Sequence, residues 1–394
     1  MSEAAAQKAE SAGGLRRVGL SVLKLAQFRN YAALTLRLGP EPVVLTGPNG
    51  AGKTNLLEAV SFLSPGRGLR RAKLSEVARH PGDGSWAVAA TLRGPDGDTE
   101  VGTGLALSAD GPERQRSVRV NRTAAQGSQA LLDLCRVVWL TPAMDGLFTG
   151  AASDRRRFLD RLVLALDPLH GERVNAYERA MRSRNRLFEE GRTDTRWFAA
   201  IEAQMAELAV AVAAARRECI ALLVDAIAAQ PVDGPFPAAV ISVAGTVEAL
   251  LAGATATEAE DRVREVLASG RPADRAAGRS RSGPHLSDLV VVHGPKAAPA
   301  EECSTGEQKA LLIGIVLAHA RLTAQLTGDT PIVLLDEVAA HLDGARRAAL
   351  FGILLDLGAQ VWMTGTEPGP FEALGGKAQF YRVEDATVGP KAGA

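Results

Sequence analysis

The sequence predicts an α/β fold: a P-loop nucleotide-binding domain with a mixed sheet and an antiparallel β subdomain, interrupted by an inserted helical domain. Three observations carry this prediction. A strand, a glycine-rich loop and a helical pattern follow one another around Gly47–Thr54. A buried-type strand near the C-terminus ends in two carboxylates, Asp336 and Glu337. Between these segments, residues 153–229 are rich in Ala, Arg, Leu and Glu, which favour helices.

Length and composition bound the classes of protein that remain possible. The 394 residues are enough for two or three domains. The 45 basic and 45 acidic residues cancel, so a nucleic-acid surface would have to be a local patch. Three scattered cysteines without metal-ligand spacing favour a reducing cytoplasm. Apolar runs are interrupted before the roughly 18 residues of a membrane span, so we expect no membrane association.

The N-terminal part of the sequence is predicted to form a tail followed by strands. Residues 1–15 lack the apolar segment of a signal peptide and are expected to form a disordered tail. Alternating residues predict strands at 18–23 and 33–38, joined by the turn-like segment 27–31. Further strands are predicted at 86–92, 100–107, 117–120 and 136–140. The first three of this second group indicate an antiparallel sheet added to the nucleotide-binding core.

The glycine-rich loop fits the P-loop pattern G-x-x-x-x-G-K-[ST]. Glycines allow successive backbone N–H groups to surround a phosphate, and the start of the following helix adds the positive end of its dipole. We expect Lys53 to reach the β- and γ-phosphates and the Thr54 hydroxyl to bind Mg²⁺. The residues predicted to contact the nucleotide here are Gly47, Pro48, Asn49, Gly50, Ala51, Gly52, Lys53 and Thr54.

The strand at 331–335 supplies the second half of this site. In a chain that also carries a P-loop, the two carboxylates at the end of this strand are typical of a Walker B element. Asp336 is expected to hold Mg²⁺ through water, and Glu337 to orient or deprotonate the attacking water. A further core strand is predicted at 360–364, with Thr364 and Thr366 at its end.

Basic segments provide candidate nucleic-acid contacts. Arg155, Arg156 and Arg157 fill the first turn of a helix for which Ser153 is the predicted N-cap, where positive charge opposes the helix dipole. Either phosphate contacts or a structural ion-pair cluster would explain this placement. Other arginines are concentrated at 66–71, 177–187 and 270–283. The segment 66–71 would contact nucleotide or nucleic acid or form a solvated charge cluster. The segment 270–283 is expected to be a flexible domain boundary, and its charges are either a nucleic-acid patch or merely solvated.

A Ser-Thr-Gly turn at residues 304–306 precedes an apolar helix, one helix before the Walker B strand. A turn of this kind at the start of a helix is either an anion site or a simple cap. Its position favours a role in the nucleotide site.

The order of these motifs resembles the ABC-type ATPases, and more specifically the RecF family of SMC-like DNA replication and repair proteins. The segments 27–31, 156–160 and 283–285 add to the resemblance, which covers about residues 16–385. It implies an ABC-type ATPase head formed by 16–150 and 284–394, with a helical arm at 151–283. It also implies ATP and Mg²⁺ as ligands and weak, DNA-linked ATP hydrolysis.

The resemblance further implies partners and residue roles. Two copies would dimerise on DNA when ATP binds, at single-stranded/double-stranded junctions or duplex, and aid recombinase loading at gapped DNA with a recombination-mediator protein. Hydrolysis would release the dimer. By match to the family motifs, Glu337 and Lys53 are the catalytic residues, Ser304 and Gly306 contact the nucleotide of the other copy, and Asp343 is the D-loop aspartate.

The chain departs from the family pattern at several positions. Glu307 stands where the family more often has Gln, Ala143-Met144-Asp145 replaces an acidic pair, and Leu286-Ser287 replaces Arg-Asp. No switch histidine is present, and Thr364 or Thr366 takes the corresponding strand end.

Two alternative functions remain at this point, a transporter ATPase subunit and a small-molecule P-loop kinase. Lys53 and Ser304 are 304 − 53 = 251 positions apart, which is far longer than a compact transporter subunit requires. A signature turn before Walker B also has no use in a monomeric kinase.

Overall fold

The computed structural model describes residues 15–94, 96–108, 111–112, 115–231, 234–339 and 342–390. The chain divides into two compact units, Met1–Met144 with Val316–Ala394, and Asp145–Ile315. The limits of the head and the arm given above were set from the positions of the sequence motifs, and they stay a prediction. The predicted tail lies outside the described residues, apart from Leu15.

The elements have the following bounds in chain order. The strands are β1 (Gly19–Phe28), β2 (Tyr31–Arg37), β3 (Val43–Thr46), β4 (Trp86–Gly94), β5 (Gly97–Leu105), β6 (Leu107–Ser108), β7 (Gly111–Pro112), β8 (Ser117–Val120), β9 (Thr123–Ala124), β10 (Val137–Leu140), β11 (Ala239–Ala244), β12 (Asp288–His293), β13 (Ala298–Pro299), β14 (Ile332–Leu335), β15 (Val361–Gly365), β16 (Gln379–Glu384) and β17 (Thr387–Pro390). The helices are α1 (Lys53–Ser61), α2 (Ala152–Leu166), α3 (His170–Glu189), α4 (Thr195–Ala228), α5 (Thr246–Leu250), α6 (Ala256–Ala277), α7 (Thr305–Thr327) and α8 (Gly344–Leu357).

The first unit contains a sheet with the strand order β10-β14-β15-β3-β16-β17. Its strands β10, β14, β15, β3 and β16 run parallel, and β17 is antiparallel to β16. All residues of β3, β14 and β15 are buried, as continuous apolar runs in parallel sheets require. Because the carboxyl ends of parallel strands meet at one edge, the loops after β3, β14 and β15 come together there. This edge carries the candidate site.

The second sheet of this unit is antiparallel, with the strand order β2-β1-β4-β5-β8-β9. Phe28, Phe62 and Trp86 pack together beneath it, with ring centroids 4.9–6.0 Å apart. The predicted mixed sheet and antiparallel subdomain are both confirmed. β1 and β4 extend past their predicted ends, to Phe28 and Gly94, because cross-strand pairing continues past the residues that alternate. The other predicted strands agree with the structure to within three residues at each end.

The second unit is mainly helical and includes a small sheet of the order β11-β12-β13. Met205, Ala206 and Ala213 of α4 are almost fully buried in its core. The prediction of a flexible segment at 270–283 is wrong as far as Ala277, because these residues continue α6. The domain boundary predicted there stays a prediction. A capping box of Thr255 and Glu258 starts that helix, and Pro272 is tolerated within it. The proline and the flanking glycines misled the prediction.

A buried arginine joins three helices of this unit. The Arg184 side chain is 0% exposed. Its guanidinium donates to Glu202 at 2.9 Å, to Asp274 at 2.6 Å and to the carbonyl of Leu267 at 2.8 Å. Arg271 also pairs with Glu202. These two arginines, which belong to the predicted basic clusters, therefore hold α3, α4 and α6 together.

Two helices, α4 and α7, are long and apolar enough to cross a membrane by length and composition alone. Of the most apolar stretch of each helix, 78% is buried in α7 and 44% is buried in α4. Core helices of globular proteins have this character, so the finding is weak evidence for a membrane span.

Candidate nucleotide-binding site

The loop between β3 and α1 has backbone angles that only glycine adopts readily. Gly47, Gly50 and Gly52 have φ angles of 146°, 83° and 114°, in the region that other residues rarely adopt. A Cβ on Gly47 would collide with the carbonyl of Val383, and one on Gly52 would lie 2.6 Å from Nδ2 of Asn30. The tight packing at Gly47 and Gly52 therefore requires glycine.

The β1–β2 turn fixes this loop through its carbonyl groups. Asn30 Nδ2 donates to the carbonyl of Ala51 at 3.1 Å, and the Tyr31 hydroxyl donates to that of Gly52 at 3.2 Å. Asn55 in α1 donates to Asn30 Oδ1 at 2.7 Å. The loop is thus held in one conformation by its own neighbours, which reduces the ordering that a ligand would have to impose.

Lys53 begins α1 and is only 4% exposed. Its ammonium donates to the carbonyls of Gly47 at 2.6 Å and Pro48 at 2.9 Å, so it lies within the loop. Burial lowers the pKa of Lys53, while the nearby charges of Glu337 and Asp336 oppose that shift. A buried cation enclosed by backbone groups fits the phosphates of a nucleotide.

Asp336 connects the loop to the neighbouring strands. Its Oδ1 accepts hydrogen bonds from the hydroxyls of Thr54 at 2.9 Å and Thr364 at 2.7 Å. A carboxylate beside a hydroxyl is the oxygen donor set that Mg²⁺ prefers. The residues present therefore fit the predicted magnesium site. Among the described residues, no group of three His, Cys, Asp or Glu side chains forms another metal site.

Glu337 follows Asp336 in an unusual backbone conformation. Its φ is 54°, and its N–H donates to the Thr364 hydroxyl at 2.9 Å. A left-handed conformation in a residue other than glycine costs about 1–3 kcal/mol and is concentrated at functional sites. Its side chain is partly exposed. This position suits a general base for a water molecule.

A buried ion-pair network behind the loop was missed by the sequence analysis. Glu58 on α1 is 0% exposed and accepts from Arg29 at 2.6 and 2.8 Å and from Arg70 at 2.9 Å. Arg70 also donates to Asn55 at 2.5 Å. The sequence feature that could have revealed this network is a single glutamate within the apolar run 56–60. A glutamate at such a position is buried, and a buried carboxylate requires a cationic partner. Arg70 of the basic loop 66–71 therefore has a structural role.

The Ser-Thr-Gly turn belongs to the second unit. Ser304 and Gly306 are exposed, and a Cβ on Gly306 would have no neighbour within 4 Å. Ser304 donates to the Glu307 carboxylate through its N–H at 3.1 Å and its hydroxyl at 3.0 Å. Bonds from Lys296 and Ser304 lower the pKa of Glu307 to about 2. The unusual glutamate is therefore ionised and holds the turn.

The arginines at the start of α2 bind groups of their own unit. Arg155 donates to both oxygens of Asp288, at 2.8 and 2.7 Å, and Arg156 donates to the carbonyl of Ser287 at 2.7 Å. Arg157 pairs with Asp154. This arrangement favours the structural ion-pair explanation over phosphate contacts. The prediction of Ser153 as N-cap is wrong, because the helix begins at Ala152 and no side chain caps it.

The remaining motif residues have identifiable local roles. Asp343 is the N-cap of α8 and accepts from the N–H of Arg346 at 2.8 Å. Asp145, in the segment that departs from the family pattern, pairs with Lys309 at 3.1 Å. Thr364 is 1% exposed at the end of β15. The assignments of Lys53, Thr54, Ser304, Gly306, Asp336 and Glu337 to ligand contacts stay predictions.

Comparisons with known proteins identify close relatives. A family model described as RecF/RecN/SMC N terminal domain matches residues 19–387. The chain is 60% identical over 371 residues to the DNA replication and repair protein RecF of Mesorhizobium japonicum, covering 94% of this chain and 97% of that protein. It is 57% identical over 368 residues to the protein of the same name from Brucella abortus, covering 93% and 95%.

Solved structures show the same fold at lower identity. A structure described as the recombination mediator protein RecF-ATP in the RecFOR pathway has a TM-score of 0.84 at 20% identity, covering 97% of this chain and 100% of that chain. An Smc head domain from Pyrococcus furiosus has a TM-score of 0.51 at 14% identity, covering 94% and 95%. The predicted ABC-type ATPase head is therefore confirmed as the fold.

Proposed function

The chain belongs to the RecF family of DNA replication and repair proteins, and on that premise we propose that ATP binding joins two copies of it on DNA and that hydrolysis releases them. As a member of this family, it is an ABC-type ATPase of DNA repair. Family membership removes the transporter subunit and the small-molecule kinase as alternatives.

The observation that carries the proposal is the meeting of Thr54, Asp336 and Thr364 beside the loop that encloses Lys53. We assign Lys53 and the loop residues to the phosphates, and Thr54 and Asp336 to Mg²⁺. The metal would supply positive charge that stabilises the leaving phosphate oxygens. Glu337 would orient the water and take its proton.

The exposed turn at Ser304 and Gly306 supports the dimer. In the proposed dimer, this turn contacts the nucleotide held by the P-loop of the other copy. A nucleotide bound only by the dimer would stabilise it by about 4 kcal/mol at 1,000 times its dissociation constant. Hydrolysis would remove the phosphate that both copies contact, so the dimer would dissociate.

We further propose the partners and the place of action. DNA, as duplex or as a single-stranded/double-stranded junction, would be bound by local arginine clusters, because the formal net charge is zero. A recombination-mediator protein and a recombinase would be the protein partners, since a structural neighbour is described as a recombination mediator. Such work would take place in the cytoplasm.

Sedimentation of the full chain tests this proposal. It is measured with and without ATP–Mg²⁺, and again with duplex DNA at several salt concentrations. We expect dimers only with ATP, and DNA affinity that falls with salt in proportion to the phosphates neutralised. Lys53→Ala should remain monomeric, whereas Lys73→Ala, which changes an exposed lysine of the same unit, should dimerise normally. Wild-type protein that stays monomeric with ATP and ignores DNA would overturn the proposal.

A further inference from the structure

Thr364 contacts both carboxylate residues of the Walker B element. Its hydroxyl accepts the N–H of Glu337 at 2.9 Å and donates to Oδ1 of Asp336 at 2.7 Å. A hydroxyl has one hydrogen and two lone pairs, so both bonds form at once. Thr364 reaches this place because β15 pairs with β14 in register, with Leu335 opposite Met363.

The bond to Glu337 matters because of that residue's backbone. Glu337 has a φ of 54°, which an L side chain rarely adopts. The Thr364 hydroxyl binds the N–H of this same residue and therefore helps to hold the conformation that sets the direction of the side chain. Within the described residues, the Glu337 carboxylate has no hydrogen bond or ion pair that would orient it instead.

The bond to Asp336 fixes the other carboxylate. Asp336 is 5% exposed and Thr364 is 1% exposed, so water does not compete freely for this contact. With Oδ1 held by Thr364 and Thr54, the Asp336 side chain has a defined orientation. Hydrogen bonds of this kind orient metal-binding carboxylates in proteins.

We propose that Thr364 is a positioning residue for ATP hydrolysis, which sets the Asp336 carboxylate for the metal and the Glu337 carboxylate for the water. This inference rests on the proposed function. Valine would fill the same volume without the hydroxyl, so the substitution removes both bonds and leaves the strand packing in place. Serine keeps the hydroxyl and loses only a methyl group.

Steady-state hydrolysis gives the first test. Thr364→Val should lower kcat about 10- to 100-fold, the range expected when reacting groups are misplaced, with little change in KM. Thr364→Ser should retain most of the wild-type kcat. In the Glu337→Gln background, Thr364→Val should cost less than it does in the wild type, because the part of its effect that acts through Glu337 is already lost and only the part that acts through Asp336 remains. Circular dichroism of all variants checks that they fold.

Equilibrium binding gives a second readout that does not depend on turnover. The affinity for a non-hydrolysable ATP analogue is measured over a range of Mg²⁺ concentrations. In Thr364→Val, the Mg²⁺ concentration that gives half of the maximal gain in analogue affinity should be about ten-fold higher. A change of this size is typical when the partner of a metal-binding carboxylate is removed. The affinity without Mg²⁺ should be unchanged, and Thr364→Ser should match the wild type.

The outcomes separate this inference from the proposed function. If the wild type hydrolyses ATP and Thr364→Val matches it in kcat and in Mg²⁺ dependence, the inference is wrong and the function stands. Equal losses of kcat in the valine and serine variants would also overturn the inference, because the loss would then be an effect of packing. Full additivity of Thr364→Val with Glu337→Gln would overturn it for the same reason. If the wild type does not hydrolyse ATP, the proposed function fails, and an unchanged Mg²⁺ dependence in Thr364→Val then rejects the inference too.

Discussion

The hydroxyl of Thr54 donates a 2.9 Å hydrogen bond to Oδ1 of Asp336, although 282 positions separate the two residues. Thr54 lies in the first turn of α1, and Asp336 directly follows β14. The parallel sheet brings them together, because β3 and β14 both pair with β15 and end at the same edge. One contact thus joins the two motifs that predicted the site.

Removing the Thr54 hydroxyl should uncouple nucleotide binding from Mg²⁺. In Thr54→Val, we expect the gain in ATP affinity on adding Mg²⁺ to fall about 10- to 100-fold, because one oxygen donor to the metal is lost. Titration calorimetry with and without EDTA measures this gain. Thr54→Ser keeps the hydroxyl and should behave as the wild type. A valine variant with the full Mg²⁺ effect would remove Thr54 from the metal site.

Replacing the Glu337 carboxylate should separate ATP binding from hydrolysis. Glu337→Gln keeps the size and the backbone of the residue but loses the base, so ATP should bind while turnover falls at least 100-fold, within the range typical of general bases. ATP-bound dimers should therefore accumulate and persist in sedimentation. Glu372→Gln, at an exposed carboxylate of the same unit, serves as the control. Normal hydrolysis in Glu337→Gln would exclude Glu337 as the base.

A bulky cation at Ser304 should prevent dimerisation without preventing ATP binding. Ser304 is exposed, so Ser304→Arg should fold normally. Its side chain would occupy the surface that the proposed dimer places against the nucleotide of the other copy. Light scattering with ATP–Mg²⁺ should show monomers, and calorimetry should show nucleotide binding. Ser269→Arg makes the same change at an exposed position of α6 and should dimerise. Unaltered dimers in Ser304→Arg would contradict the shared site.

The sequence predicted the nucleotide-binding sheet well because its signals are local. The P-loop pattern fixes a strand, a loop and a helix within about twenty residues, and buried parallel strands read as apolar runs. The meeting of Lys53 and Asp336 then follows from the rule that strand ends share an edge. Thr364 was noted at its strand end, but its two hydrogen bonds depend on the register of β14 and β15.

Arginine roles were much harder to predict. Arg184 and Arg186 lie two positions apart on α3, yet the first is buried and the second exposed. Partners such as Asp274 are 90 positions away from Arg184, so no local pattern reveals them. The pattern alone therefore left nucleic-acid contacts open for these clusters, although Arg155 and Arg271 bind carboxylates of their own unit. The same limitation hid the pairing of Glu58 with Arg29.

Loss of the buried Arg184 should destabilise the helical unit far more than loss of its exposed neighbour. Arg184→Met leaves two buried carboxylates, Glu202 and Asp274, short of a partner, which typically costs 3–5 kcal/mol, so we expect a loss of about 4 kcal/mol. Urea unfolding followed by circular dichroism measures it. Arg186→Met, at an exposed site, should change the free energy of unfolding by less than about 0.5 kcal/mol. If both variants are equally stable, the ion pairs of Arg184 do not stabilise the unit.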